Sequence, residues 1–229
     1  LEAIQNVQQI IPISELISPL KSETSLNINI GLKYNPTDHL SFDLNFFNNK
    51  VNDLIEWELV AKDENNMNIY SYFNVNQVET KGLEFNSTYT KIDDWKIKFG
   101  YQLLYAYDTE VVKDIEKDDS DYYALDPATL TSIKLNKDDY FGLFNRSRHM
   151  GNIKLNYHLN AKTDLNAIIT YRSKYALSDS NGNDILDTYD KFIEGYSLCD
   201  VGGTYQISSL KSIQMGVKNI FGFKNPEFI

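Results

Sequence analysis

The sequence predicts an all-β fold, an antiparallel up-and-down β-barrel that crosses a membrane with strands rather than helices. Three observations predict it. Apolar residues recur at every second position through one segment after another. The connections between those segments alternate between short and long. Tyrosine and tryptophan gather near the segment ends, on the apolar parity.

The segments come in order. Leu26, Ile28, Ile30, Leu32 and Tyr34 share one parity of Ser25–Tyr34, against Asn27, Asn29 and Lys33. Leu40–Val60 alternates through Phe42, Leu44 and Phe46 and then shifts parity to Val51, Ile55, Trp57 and Leu59, which predicts a bulge near Asn48–Lys50. Gly82–Tyr89, Trp95–Tyr107, Gly151–Tyr157 and Leu165–Tyr175 alternate cleanly. Tyr196–Tyr205 alternates in its second half, and Ile213–Lys218 closes the series. No amphipathic helix is predicted, beyond a turn or two within Leu1–Leu20.

Short connections fall at Asn35–His39, Lys91–Asp94, His158–Asp164 and Gln206–Ser212, and long ones at Ala61–Ile69, Asp108–Asn145 and Ala176–Gly195. Tight turns at one end and long loops at the other are the arrangement of an outer-membrane barrel, with the long loops outside the cell. Tyr34, Tyr89, Trp95, Tyr157 and Tyr205 sit beside short turns; Trp57, Tyr105, Tyr107 and Tyr175 sit toward the long loops. Such rows match the interfacial girdles of a barrel. The plainer alternative is the general preference of aromatic residues for strands.

Composition narrows the function. The chain has 229 residues, 42% of them hydrophobic and 13% aromatic, which argues against disorder. A formal net charge of −10 argues against a nucleic-acid partner. The single cysteine, Cys199, excludes an intramolecular disulfide framework. The mean hydropathy of −0.41 taken alone suggests a soluble protein, but a barrel polar at every second residue passes under such a scan.

Several motifs, in order, resemble the C-terminal barrel portion of TonB-dependent outer-membrane receptors. They are Pro19-Leu20-Lys21-Ser22-Glu23-Thr24-Ser25 before a strand with Gly31, and Val51-Asn52-Asp53-Leu54-Ile55 closing the next. Then come Asn74-Val75-Asn76 with Lys81-Gly82-Leu83-Glu84, the Arg146–Asn156 approach to a later strand, and Val217-Lys218-Asn219-Ile220-Phe221. The resemblance implies a plugged barrel of about 22 strands, of which roughly eight are here. It implies a multi-pass barrel in the Gram-negative outer membrane, importing a scarce nutrient such as an iron–siderophore, haem, cobalamin or a glycan. The implied partners are outer-membrane lipid, the receptor's own N-terminal plug, the TonB system and an extracellular ligand. No cofactor is expected.

The expected organisation is an extracellular-loop segment over 1–24, consecutive strands over 25–219 and a truncated end over 220–229, with no plug. Counting strand directions puts both ends of the series on the long-loop side, so the strands are expected to be cut from a larger barrel with two open edges. The chain opens at Leu1 without a signal peptide, as a processed or truncated piece would.

Candidate site residues are few. No G-x-S-x-G, HExxH or P-loop occurs, and an enzyme is not expected. Arg146, Arg148 and His149 could form an anion pocket, or His149 could ligate haem; the plain reading of His149 is a strand-start residue bonded to a loop. Asp179, Asn181, Asn183 and Asp184 have oxygen ligands at near-alternate positions around a turn glycine, as in a calcium loop. That stretch lacks the full spacing and the closing glutamate, and a solvated turn is the plainer reading. Asp108–Asn145 holds ten Asp/Glu against four Lys, enough to attract cations or simply to stay solvated. The alternative from another class is a soluble extracellular β-rich binding or adhesin module.

Overall fold

The structure, a computed structural model, describes residues 8–9, 19–63, 65–75, 77–90, 94–117, 120–126 and 128–224. The first eighteen residues, where a helical turn is expected, lie outside these apart from Gln8 and Gln9, as do three of the four residues of Lys91–Asp94.

One sheet of eight antiparallel strands dominates. In chain order these are β2 (Thr24–Thr37), β3 (Leu40–Asn52), β6 (Val78–Tyr89), β7 (Trp95–Asp108), β11 (His149–Asn160), β12 (Thr163–Arg172), β14 (Tyr196–Ser208) and β15 (Lys211–Val217). Each of the six inner strands pairs with its predecessor and its successor in this series, which makes a pure meander. All eight predicted segments are present, in the predicted order. Among the described residues β2 and β15 do not pair with each other, so the sheet has two open edges.

Register carries the apolar parity across the sheet. Leu40 faces Tyr89, then Ile97, Leu155, Ala167, Val201 and Val217 on successive strands. One residue further along β3, Ser41 begins a row through Thr88, Lys98, Lys154, Ile168 and Asp200. One face is therefore apolar and the other largely polar, as period-two side-chain placement requires. The apolar face is uncovered: Ile30 is 66% exposed, Leu32 65% and Met215 74%. A continuous apolar face of this size calls for a non-aqueous neighbour. No described helix is long and apolar enough to cross a membrane.

The short turns are tight. Thr37 pairs with Leu40, Asn160 with Thr163 and Ser208 with Lys211, each leaving two residues between. Tyr34, Tyr89, Trp95, Tyr157 and Tyr205 all fall on the apolar face near these turns, with Trp95 stacked on Tyr157 at 4.4 Å.

Three expectations need correction. The Asn48–Lys50 bulge does not exist: the β2–β3 ladder runs unbroken from Tyr34–Phe42 to Thr24–Asn52. The apparent parity shift arises because Asn48 and Lys50 are polar residues on the apolar face, where they meet Glu79 at 2.9 and 3.5 Å. The interruption lies at Asp53, whose φ of 54° ends β3 and starts β4 (Leu54–Lys62). β4 pairs with β5 (Asn68–Val75) as a hairpin beyond the sheet, and β1 (Gln8–Gln9) adds to it through Gln8–Lys62. Trp57 belongs to that hairpin, packed edge-on against Tyr70 at 4.8 Å, not to the girdle. Tyr175 is also not a girdle residue: it is buried, bridges to Ile193 and lies under the Arg172 guanidinium.

The third correction is a helix. α1 (Thr109–Ile115) follows β7 directly. Asp108 caps it, accepting from the Glu110 and Val111 N–H groups, and Val111 and Ile115 bury one face four residues apart. With β8 (Tyr123–Leu125) paired to β9 (Ser132–Lys134), and β10 (Tyr140–Gly142) paired to β13 (Leu186–Asp187), it builds a structured cap from the long loops. The buried core of the described residues is here: Val111, Ile115, Ala124, Leu135, Tyr140 and Ile185 pack together.

Candidate functional site at the long-loop rim

The rim is built where β7, β11 and β12 meet the loops. β10 docks on the end of β7, where the Leu143 N–H donates to the Ala106 carbonyl at 2.9 Å. Gly142 makes this possible: its φ is 120°, and a Cβ there would come 2.2 Å from the Ala106 oxygen. β10 carries Phe141 into a cluster of rings and cations. Phe141 meets Phe192 at 4.7 Å, the Arg148 guanidinium lies 4.4 Å from Phe141, and Lys174 Nζ lies 4.5 Å from Phe192. Such contacts hold a cation over a π face.

The predicted trio of Arg146, Arg148 and His149 does not converge. Arg146 is exposed, with one long bond to the Asn145 carbonyl at 3.5 Å. Arg148 stacks on Phe141 and donates to its carbonyl at 3.1 Å. His149 faces the apolar side, because it pairs with Leu103. Its Nδ1 lies 2.8 Å from the Tyr101 hydroxyl and its ring stacks on Tyr101. Its backbone bonds Ser173 in both directions.

Arg172 is not among the candidate site residues that the sequence offers. Its Nε donates to Ser147 Oγ at 2.8 Å, its Nη2 to Asn145 Oδ1 at 2.9 Å, and its guanidinium lies 3.6 Å from the Tyr175 ring. Ser147 is buried and donates in turn to the Ser173 carbonyl. Arg172 thus clamps the two loops that flank β11 and β12. Nothing local in the sequence marks it, because its partners come from two loops.

Asp179, Asn181, Asn183 and Asp184 are brought together, as donors and acceptors for one another's turn. Asp179 accepts from the N–H groups of Asn181, Gly182 and Asp184 at 2.7–2.8 Å. Partial burial pushes its carboxyl up, but the N–H groups of Gly182, Asp184, Asn181 and Asn183 outweigh this and hold it below the usual carboxylate range. The side-chain amides of Asn181 and Asn183 both donate to Asp187, a fully buried carboxylate that the sequence did not single out. Asp190, also buried, accepts from Ser180 and from the Asp187 N–H. Among the described residues no group of three or more His, Cys, Asp or Glu is placed to hold a metal ion.

Residues 6–220 match the family described as TonB dependent receptor-like, beta-barrel. The chain belongs to that family. The ferric enterobactin receptor of Pseudomonas aeruginosa is 25% identical over 212 residues, covering 88% of this chain and 25% of the relative. Among solved structures, a mutant of that receptor overlays with a TM-score of 0.62 at 23% identity, over 88% of this chain and 26% of that one. The copper transporter OprC overlays with a TM-score of 0.59 at 16% identity, over 88% of this chain and 25% of that one. At those identities the overlays show the fold alone. The chain spans about a quarter of the length of the relatives it matches. Family membership accounts for the bare apolar face, and the soluble-module alternative leaves that face without a neighbour.

Proposed function

We propose that this chain is part of the barrel wall of an outer-membrane receptor that imports a metal chelate, energised through TonB. The observation that carries the reading is the meander of eight strands with one continuous apolar face, in a chain of this family. The strands bordering β2 and β15 belong to the same barrel, since a barrel in lipid leaves no edge unpaired. The receptor's own N-terminal plug closes the lumen against the polar face. A metal chelate is favoured over haem, cobalamin or a glycan because a ferric enterobactin receptor is a relative and because the rim sets Arg148 and Lys174 against Phe141 and Phe192, and Arg172 against Tyr175. Cations beside rings suit an anionic, aromatic chelate.

Deleting the gene from its host and supplying iron as a ferric catecholate, haem or a free salt tests this. Uptake from the ferric catecholate is expected to fall, and to fall equally when the TonB system is disabled. Unchanged uptake from every ferric chelate would overturn the substrate class. Orientation is tested separately in the full-length receptor carrying Cys199→Ser. Cysteines placed at Asp121, Asp138 and Asn183 are expected to react with an impermeant reagent on whole cells, and those at Asp38 and Thr163 to stay unlabelled. The reverse pattern would invert the topology.

A further inference from the structure

The apolar face of the sheet changes character at the long-loop ends of β3 and β6. Ile30, Phe46, Leu83 and Leu103 form one wholly apolar row across β2, β3, β6 and β7. The next row toward the loops is Ile28, Asn48, Lys81 and Tyr105, and the one beyond is Leu26, Lys50, Glu79 and Tyr107. Successive rows on one face are about 7 Å apart, two residues of strand rise. Two lysines therefore stand on the membrane-facing side, within one or two rows of the apolar band.

They are held there. Glu79, whose side chain is 9% exposed, lies 3.5 Å from Lys50 Nζ and 3.9 Å from Lys81 Nζ. Its position is fixed by Asn48, which donates to Oε1 at 2.9 Å. Lys81 also donates to the Tyr107 hydroxyl at 2.7 Å. The lysine side chains are 52% and 49% exposed, so both ammonium groups keep faces open to an outside partner. Two lysines against one carboxylate leave a surplus positive charge.

From this arrangement we infer a site for the phosphorylated headgroup of an outer-leaflet lipid, with phosphate on Lys50 and Lys81 and an acyl chain along the Ile30–Phe46–Leu83–Leu103 row. The inference rests on the outer-membrane reading above. Cations directly above an apolar row fit an amphiphile that is anionic at its head, and a free phosphate would leave the apolar row unused. Ammonium groups at the headgroup level attract anionic lipid.

The test uses the full-length receptor purified in detergent and titrated with phosphorylated lipid A, dephosphorylated lipid A or inorganic phosphate, with occupancy read by native mass spectrometry. Phosphorylated lipid A is expected to bind, and the Lys50→Gln/Lys81→Gln receptor to bind it about 30-fold more weakly. Lys98→Gln/Lys154→Gln, on the polar face, controls for lost charge and is expected to leave binding unchanged. Equal binding by the Lys50→Gln/Lys81→Gln and unaltered receptors would overturn the site, as would equal binding of the dephosphorylated lipid. Displacement of the lipid by inorganic phosphate would overturn the lipid and leave a bare anion site. Cell fractionation separates the two readings: a receptor in the outer membrane without lipid binding fails only this inference, and one absent from that membrane fails both.

Discussion

In the sheet the large apolar side chains are on the outside; in the loops above it they are on the inside. Ile30 and Leu32 stand bare on β2, whereas Leu135, Ile185 and Leu186 are almost wholly covered. The same driving force, removal of apolar surface from water, acts in both regions. In the loops protein supplies the cover, and in the sheet the proposed barrel setting leaves that role to lipid. Polar residues invert in parallel. The sheet's inward face carries Lys98, Lys154 and Asn156, while the cap buries Asp187 among the amides of Asn181 and Asn183. A single chain thus has two stability regimes, and each can be broken without the other.

The largest effect is expected in the cap. Leu135→Ala removes a side chain from the Val111–Ile115–Tyr140 cluster and should cost about 2–5 kcal/mol of cap stability. Hydrogen exchange on the full-length receptor should show the 109–147 and 176–195 segments losing protection while the strands keep theirs. Equal protection in the two proteins would mean the cluster is not a core.

The matching change in the sheet is Leu155→Arg or Ile169→Arg. Both residues lie on the apolar face, paired respectively with Ala167 and Ile153. Each substitution should cost about 2–4 kcal/mol near mid-membrane. Asn156→Arg and Thr170→Arg, one residue along, should cost far less. Equal costs at neighbouring positions, measured as unfolding in lipid vesicles, would erase the distinction between the faces.

How much of this was legible in the sequence follows the same division. The strands were legible because period two is a local signal, repeated with every turn, and register then follows from short turns such as Asp38-His39. Asn48 and Lys50 misled, because they are polar on the apolar face and mimic a parity change. The cap was not legible. α1 is seven residues long with two buried residues, Val111 and Ile115, too short for a periodic signal. Its partners Leu135, Tyr140 and Ile185 arrive from distant segments. The same holds at the rim: Arg172 owes its role to contacts with two loops, and Asp187 to a fold of its own loop that turns the Asn181 and Asn183 amides onto it. Conversely, Arg146, Arg148 and His149 looked like a site because they are adjacent in sequence, and strand alternation sends Arg148 and His149 apart.

A smaller effect should separate the regions by pH. Burial, reinforced by the Asp108 carboxylate, pushes the Tyr140 hydroxyl up from 10.0 to about 12. The folded cap thus holds a proton that the unfolded chain releases. This contribution is fully present below pH 10 and is lost as pH rises toward about 12, at most about 2–3 kcal/mol. Exchange protection of the cap should fall across that window, ahead of the strands. Tyr140→Phe should flatten the response. A cap no more alkali-sensitive than the sheet would sink the assignment.

The smallest effect concerns the joint between the regions. Asp108 ends β7 and caps α1, so one residue belongs to both regimes. Its carboxylate accepts from Glu110 N–H at 2.7 Å and Val111 N–H at 3.3 Å, and its own N–H donates to the Tyr140 hydroxyl at 3.1 Å. Asp108→Ala removes the cap and should cost about 0.5–2 kcal/mol, felt in α1 rather than in β7. Asp108→Asn keeps an acceptor oxygen at the same place and should restore most of it, because asparagine caps about as well as aspartate. The discriminating measurement is exchange at Val111 and Val112 against exchange at Tyr101 and Leu103. If Asp108→Ala loosened both pairs equally, cap and strand would be one cooperative unit, and the contrast between an inside-out sheet and an outside-in cap would describe packing without describing stability.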